Sequence, residues 1–482
     1  MDMRVANGHV IGGKVVPAAS GETVPVIDPG DGAEFAQIAR GGKADVDTAV
    51  AAARAAYDGA WGRMSATERG RKLMKIAEGI LADGEALARL EARDTGKPLK
   101  QAKADIAVAA RYFEYYAGAA DKLHGETVPY QHGYTVMLLR EPLGVTGHII
   151  PWNYPAQMGA KQISATLAAG NACVVKPAED ACLSVLRLAE IALAAGVPPG
   201  VVNVVTGLGP EAGAALAAHP GLDHVSFTGS PEVGAEVQKL AADNNVAVTM
   251  ELGGKSPQLV FADADLEAAL PVLVGAIVQN AGQTCSAGSR VLIDARVYDE
   301  VTARLAERFT ALRAGTYDMD LDLGPLISKK QHVRVSGYVA RAQASGVAAL
   351  ATGAFAPNLP PGGFFVAPTL LGNVPPDHEA AQKEIFGPVL SAIRFEDEAD
   401  AVRIANGTAY GLTAGVWTRD GARQMRMAKA LRAGQVFVNN YGAGGGVELP
   451  FGGVKRSGFG REKGIAGMKE LTVLKTVAIR HG

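Results

Sequence analysis

Apolar residues recur along this chain with two different periods. After Ser65 the apolar positions Leu73, Ile76, Ile80 and Leu81 fall three and four apart, and the alanine-rich stretch 44–60 precedes them, so the first part of the chain predicts long amphipathic helices. Ser65 and Glu68 stand three apart just ahead of the second run and form a capping box, in which hydroxyl and carboxylate each satisfy a free N–H of the first turn. From 143 to 252 the pattern becomes short apolar runs alternating with helical stretches. It predicts strands over 145–150, 172–175, 201–205, 224–227 and 246–251, with helices running to Leu167, from Asp180, to Ala218 and from Pro231. Such alternation builds a parallel, doubly wound sheet whose ligand crevice lies beyond the carboxyl ends of the strands.

A second alternating region, from Pro257 to about Val438, predicts strands over 257–261, 290–293, 389–395, 413–417 and 435–438, and hence a second α/β domain. The segment 133–140 sets Tyr134, Val136 and Leu138 against Thr135, Met137 and Leu139, and 471–479 is strand-like in the same way. Both are edge material that could pair with each other or with a partner subunit.

Composition removes several functional classes. A length of 482 residues with 48% hydrophobic and 20% charged positions describes an ordinary globular protein of several domains. Lys plus Arg at 47 against Asp plus Glu at 49 leaves a formal charge of -2, without the basic field of a nucleic-acid binder. The apolar stretch 268–278 is far shorter than the roughly 20 residues that span a bilayer. Residues 1–7 lack a basic segment followed by an apolar run, so no secretory signal and no membrane partner are expected, and the expected compartment is the cytoplasm. Three cysteines, Cys173, Cys182 and Cys285, fit a reducing compartment, and neither they nor the 9 histidines have metal-ligand spacing, so no metal is expected.

Chemistry concentrates where predicted strands end. Ser226-Phe227-Thr228-Gly229-Ser230-Pro231-Glu232-Val233-Gly234 reads either as an anion-binding helix N-terminus or as an ordinary strand-to-helix turn. Lys176 and Glu179 follow the second strand, where they could hydrogen-bond a ribose or form a solvated turn. Cys285 sits among small and polar neighbours in Gly282-Gln283-Thr284-Cys285-Ser286-Ala287-Gly288. That context suits a nucleophile or a loop cysteine, whereas Cys173 and Cys182 lie in apolar strand and helix and read as packing residues. Glu251 ends an apolar strand and could be a general base with a raised pKa or a hydrogen-bonded strand end. Asn153, in Pro151-Trp152-Asn153-Tyr154-Pro155, could donate to an oxyanion or cap a helix.

Taken together, PWNYP at 151–155, KPAE at 176–179, FTGSPEVG at 227–234, ELGGKSP at 251–257, GQTCSAGSR at 282–290, EIFGPVL at 384–390 and PFGGVKRSGFGRE at 450–462 resemble, over nearly the whole chain, the NAD(P)-dependent aldehyde dehydrogenase superfamily. The resemblance implies an α/β fold with a Rossmann-like NAD-binding domain (1–122 and 143–252), an α/β catalytic domain (253–455), a return segment (456–465) and a small β oligomerisation domain (123–142 and 466–482). It implies oxidation of an aldehyde to a carboxylic acid through a cysteine hemithioacetal and a thioester hydrolysed by water. Cys285 would be the nucleophile, Glu251 the general base, and the Asn153 side chain with the Cys285 N–H the oxyanion hole.

For the cofactor the resemblance implies Lys176 and Glu179 at the adenosine ribose, Trp152 and Ser230 at the pyrophosphate, Glu384 at the nicotinamide ribose and Phe386 packing on the nicotinamide, with Gly229, Gly234 and Leu252 also among the cofactor-binding residues. A carboxylate at Glu179 favours NAD over NADP, because it accepts from a ribose 2′-OH and repels a 2′-phosphate. Tyr154, Met158, Thr284, Ser286 and Tyr441 are placed along the substrate tunnel, with a small aldehyde, apolar or aromatic rather than quaternary-ammonium, as the expected substrate. One departure is Gln162, where relatives carry a lysine close to Glu462, which puts an assisting cation near the base in doubt. A homodimer or homotetramer is expected. The competing readings are a CoA-acylating semialdehyde dehydrogenase, which typically lacks the Glu251 carboxylate, and a catalytically silent crystallin-like or binding protein on the same fold.

Overall fold

A computed structural model of the chain describes residues 7–482, with the backbone alone at 443 and 444, so the signal reading of 1–7 lies, but for Asn7, outside the described residues. The first sheet carries five parallel strands in the spatial order Val202–Val204, Ala172–Pro177, Val145–Ile150, His224–Thr228, Ala247–Glu251, which in chain order is 3-2-1-4-5. All but the last are buried along their whole length, which is why the sequence shows short apolar-rich runs there instead of a strict alternation, with polar exceptions such as His148 and Ser226 hydrogen-bonded to each other inside. The order reverses between Val145–Ile150 and His224–Thr228, and a crevice opens at the carboxyl ends of these two strands.

The sheet is not parallel to its edges. A hairpin of His9–Ile11 and Lys14–Val16 closes one side antiparallel, and Gly458–Phe459 pairs antiparallel with Met250 and Glu251 on the other. Neither the hairpin nor the ribbon Thr23–Ile27 with Glu34–Ala39 was foreshadowed by the helical reading of the first third. That reading holds from residue 43 on: Lys43–Ala56 is a helix, although it passes into an irregular turn at Gly59 instead of continuing to 60. Ala66–Ala82 begins with the expected capping box, Ser65 N–H donating to Glu68 Oε2 at 2.9 Å. Leu73, Ile76 and Ile80 are buried, but Leu81 points to solvent, one step of about 100° off the buried stripe. The expected helix before Ala218 shrinks to Ala214–Ala217 behind an irregular turn at Gly209–Gly213.

The second sheet runs Ala348–Thr352, Thr369–Gly372, Val389–Phe395, Arg290–Asp294, Pro257–Val260, Thr413–Trp417, Gln435–Val438, all parallel except the first, which is an antiparallel edge. The two alternating ribbons pair with each other: Tyr134–Pro142 lies antiparallel to Thr472–Arg480 over its full length, with Glu126–Val128 on its other side. Among the described residues no helix is long and apolar enough to cross a membrane.

Candidate active site

Pro151, Trp152 and Asn153 leave the first strand of the crevice, and Gly229 and Ser230 leave its neighbour. Ser230 is the N-cap of the helix Pro231–Ala242, its Oγ accepting from Val233 N–H at 3.3 Å. From here a cavity of about 890 Å³ passes between the two sheets, and Glu251, Cys285, Asn153 and Glu384 all stand on its wall.

Cys285 is delivered by a chain reversal. The helix Leu266–Val278 ends, and Asn280, Ala281 and Gly282 follow in succession at φ 49°, 53° and 73°. At Gly282 a side chain is impossible, since a Cβ would lie 2.1 Å from Gly387 O. Burial, reinforced by the carboxylates of Glu384 and Glu251, pushes the Cys285 thiol up to about 12. Cys173 and Cys182 are fully buried within the first domain's core, as their apolar context predicts.

Glu251, at the end of its strand, is 2% exposed, and neither carboxylate oxygen has a hydrogen-bond partner. Burial, then Glu462, drives its pKa well above the carboxylate range, with Lys161 acting in the opposite direction. The strand end is held by Leu252 N–H donating to Ser457 O at 2.9 Å. Such a group is a stronger base than an exposed glutamate once it is ionised.

Asn153 caps no helix; Tyr154 occupies the N-cap position of Pro155–Ala169 without a side-chain bond. The Asn153 amide donates to Gln283 O at 2.8 Å and has one further N–H. Its backbone carbonyl is fixed from behind by Lys97 Nζ at 3.0 Å and Asn280 Nδ2 at 2.8 Å. Lys97, wholly buried, also pairs with Asp105 at 2.6 Å and Glu91 at 3.3 Å and lies 4.4 Å over the Tyr154 ring.

Among the residues expected at a cofactor, Trp152, Gly229, Ser230, Glu384 and Phe386 line the cavity. Trp152 and Phe386 meet edge to face at 5.4 Å, and Phe386 is held at φ 60°, a strained conformation for a residue with a side chain. Glu384 accepts from Gly254 N–H at 2.9 Å, and a Cβ on Gly253 would fall 2.2 Å from its Oε2. Burial raises the Glu384 carboxyl to about 7. Lys176, Glu179, Gly234 and Leu252 are not on the cavity wall. Lys176, at the end of the neighbouring strand, pairs at 3.0 Å with Glu179 just beyond it, and Gly234 provides the space into which Leu252 packs. Burial alone would raise Glu179, but Lys176 and the N–H groups of Glu179 and Gly209 hold it below its ordinary range.

All five expected substrate residues line the cavity. Tyr154 OH meets Thr284 Oγ1 and Gln279 Nε2, each at 2.8 Å, and Tyr441 OH donates to Ser286 O at 2.7 Å. The doubt raised by Gln162 is resolved by its neighbour: Lys161 forms an ion pair with Glu462, while Gln162 Nε2 donates to the other oxygen of Glu462 at 2.5 Å. The cation is therefore present, one residue earlier than the resemblance led one to expect. Sequence reasoning missed Lys161, Lys97, Asp105 and Lys463. Only the adjacency of Lys161 and Gln162 on an otherwise apolar helix could have signalled the first of them.

A sequence profile of the aldehyde dehydrogenase family matches residues 15–477. Aldehyde dehydrogenase family 2 member B4, mitochondrial, of Arabidopsis thaliana is 43% identical over 473 residues, 97% of this chain and 87% of the relative. Among solved structures, a protein of Burkholderia cenocepacia described as an aldehyde dehydrogenase is 64% identical and superposes with a TM-score of 0.98 over 98% of this chain and 100% of that one. An NAD+ complex of aldehyde dehydrogenase from Bacillus cereus, 38% identical, superposes with a TM-score of 0.95 over 98% and 96% of the two chains. The motifs, the sheet order and these similarities agree: the chain belongs to the aldehyde dehydrogenase family and is an oxidoreductase acting on aldehydes.

Proposed function

We propose that the protein oxidises an aldehyde to a carboxylic acid with NAD as acceptor, using Cys285 as nucleophile, Glu251 as base and Asn153 as oxyanion donor. The observation that carries this reading is the meeting, in one cavity, of a recessed thiol, a buried carboxylate with both oxygens unpartnered and an amide with an N–H to spare. The residues of the first sheet suit a dinucleotide: Thr228 Oγ1 is buried without a partner beside the Ser230 helix N-terminus, and a bare Gly253 makes room for Glu384. Lys176 and Glu179 would hold the adenosine ribose, Trp152, Gly229 and Ser230 the pyrophosphate, with Gly234 and Leu252 shaping that helix end, and Glu384 with Phe386 the nicotinamide end. Bound there, NAD supplies a hydride acceptor. The negative Glu179 favours it over NADP.

The thiol at about 12 must lose its proton as the carbonyl arrives, and Glu251, itself raised by burial, accepts it. The carbonyl oxygen then takes the negative charge, and Asn153, anchored through Lys97 and Asn280, donates to it without rearranging. After oxidation Cys285 carries a thioester, and Glu251 deprotonates the water that cleaves it; Lys161 and Glu462 stand behind as a charge pair to which the proton can pass. Residues 1–122 and 143–252 serve as the cofactor domain and 253–455 as the catalytic domain. The ribbon 123–142 with 466–482 serves assembly into a dimer or tetramer, since Thr472–Arg480 is an outer strand with Val473, Leu474 and Ile479 exposed. A panel of aldehydes should yield NADH without added CoA, and Cys285→Ala should abolish turnover while NAD still titrates by calorimetry. Substantial turnover by that variant would remove the nucleophile assignment.

A further inference from the structure

The wall of the cavity carries eight charged side chains, of which Glu232 and Lys330 are exposed at the cofactor end and Glu251 is the base already described. On the cofactor side Glu384 and Arg334 are tied into the loop around residues 384–385, Arg334 donating to the carbonyls of Glu384 and Ile385. On the substrate side Lys161 is engaged by Glu462, and Asp105 by Lys97 and Gln157. Lys463 is different. Its ammonium lies 5.1 Å over the Phe451 ring and 5.9 Å over the Tyr112 ring, and no carboxylate or carbonyl of the described residues accepts from it. Aromatic faces hold the cation in place without neutralising it.

The backbone aims this side chain. Lys463 sits at φ 61°, ψ 165°, a region populated almost only by glycine and kept only where the surroundings enforce it. It is held by its neighbours: Phe451 and Glu462 exchange two backbone hydrogen bonds at 2.7 and 2.8 Å, Gly467 N–H donates to Lys463 O at 2.9 Å, and Gly464 N–H to Val447 O at 2.9 Å. The direction of the Lys463 side chain is thus fixed before any ligand arrives. Burial lowers its pKa in spite of the opposing pull of Cys285, Glu462 and Glu251, none of which bonds to it, so the charged form still lacks a direct partner that an anion would supply.

We propose that Lys463 recognises a carboxylate at the far end of the substrate, so that the preferred aldehyde is an ω-carboxy aldehyde, a semialdehyde, with its carbon chain or ring lying among Val108, Met158, Phe451 and Leu449. This rests on the reading of the cavity as an aldehyde-oxidising site. One unmatched ammonium on the substrate side suits a monoanion, which forms a charge-assisted hydrogen bond with it. A quaternary-ammonium substrate is opposed by the same charge, and one aromatic face it would need, Tyr154, is already covered by Lys97.

The test is a ratio within one enzyme: kcat/KM for glutaric semialdehyde over pentanal, and for p-carboxybenzaldehyde over p-methylbenzaldehyde, by NADH formation. The wild type should favour the carboxylated member at least tenfold in one of the pairs. Lys463→Met should bring that ratio to one or below, and Lys463→Arg should retain most of it, so a general loss of activity cancels. Neutral aldehydes used as well as their carboxylated partners by the wild type would overturn the proposal while leaving aldehyde oxidation intact, and this arm needs no variant. A wild-type preference that survives Lys463→Met would overturn it too. Absence of NADH with every aldehyde would instead strike the underlying activity.

Discussion

Although Cys285 is only half-buried, its enclosure in the cavity beside Glu384 and Glu251 has a direct consequence for its reactivity before any substrate is bound. At about pH 7 a cysteine of ordinary pKa near 8.5 is a few per cent thiolate, whereas a thiol at about 12 is thiolate roughly 3000-fold less often. The more basic thiolate is intrinsically the faster nucleophile, by roughly 40-fold at a Brønsted slope near 0.45, which leaves a net deficit of about 100-fold against a free thiol. Alkylation of the resting protein by iodoacetamide should therefore be about 100-fold slower than that of a small thiol at neutral pH, and should climb close to tenfold per pH unit up to about pH 10. Raising pH removes the proton that blocks attack, so the slope is positive throughout. Intact-mass spectrometry of quenched samples reads the single adduct, and Cys285→Ala should show none on this timescale because Cys173 and Cys182 are fully buried. A plateau reached below about pH 9 would show thiolate already present in the resting chain, and the account of a proton passed to Glu251 on substrate arrival would fail.

Replacing Glu251 by Gln should slow release of the acyl group by roughly 10²–10⁴-fold, the usual range for a general base, and a mass increase on the quenched enzyme should report the accumulated thioester. Glu179→Ala should narrow the ratio of kcat/KM for NAD over NADP by tenfold or more; equal constants in the wild type would defeat the 2′-phosphate argument. Removing residues after Glu470 takes away the outer strand paired with Tyr134–Pro142, and light scattering should then show a smaller assembly or aggregation. Lys97→Met leaves Glu91 and Asp105 buried without their cation, a loss of about 3–5 kcal/mol for a broken buried pair, and should lower the melting temperature together with kcat.

The parallel strands of the first sheet and five of the seven strands of the second were legible to within a residue or two at most ends, because a strand buried on both faces is rich in apolar and β-branched residues, as at Val145–Ile150 and Val389–Phe395, whereas Ala348–Thr352 and Thr369–Gly372 were not read as strands. The edge hairpin His9–Ile11 with Lys14–Val16 was not, since three-residue strands carry no period and gain their order from the strand they join. Within the site, Cys285, Glu251 and Asn153 were visible because each follows or ends a recognisable element. Lys161 and Lys97 were hidden: the meaning of a lysine depends on what it faces, and the partner of Lys161, Glu462, is 301 residues away in the chain. Gln162 misled for the same reason, since two adjacent helix positions reach one carboxylate from different sides.

The short strand Gly458–Phe459 laid against Met250 and Glu251 joins segments more than two hundred positions apart. During synthesis the five parallel strands can assemble as soon as Glu251 has emerged, whereas the wall beside that carboxylate arrives only with the last tenth of the chain. A nascent or C-terminally cleaved polypeptide can thus hold a formed dinucleotide crevice while lacking the enclosure that makes its glutamate a base. Capacity to bind cofactor and capacity to turn over are separated in time, and ribosome-stalled chains ending before residue 450 should acquire the first without the second.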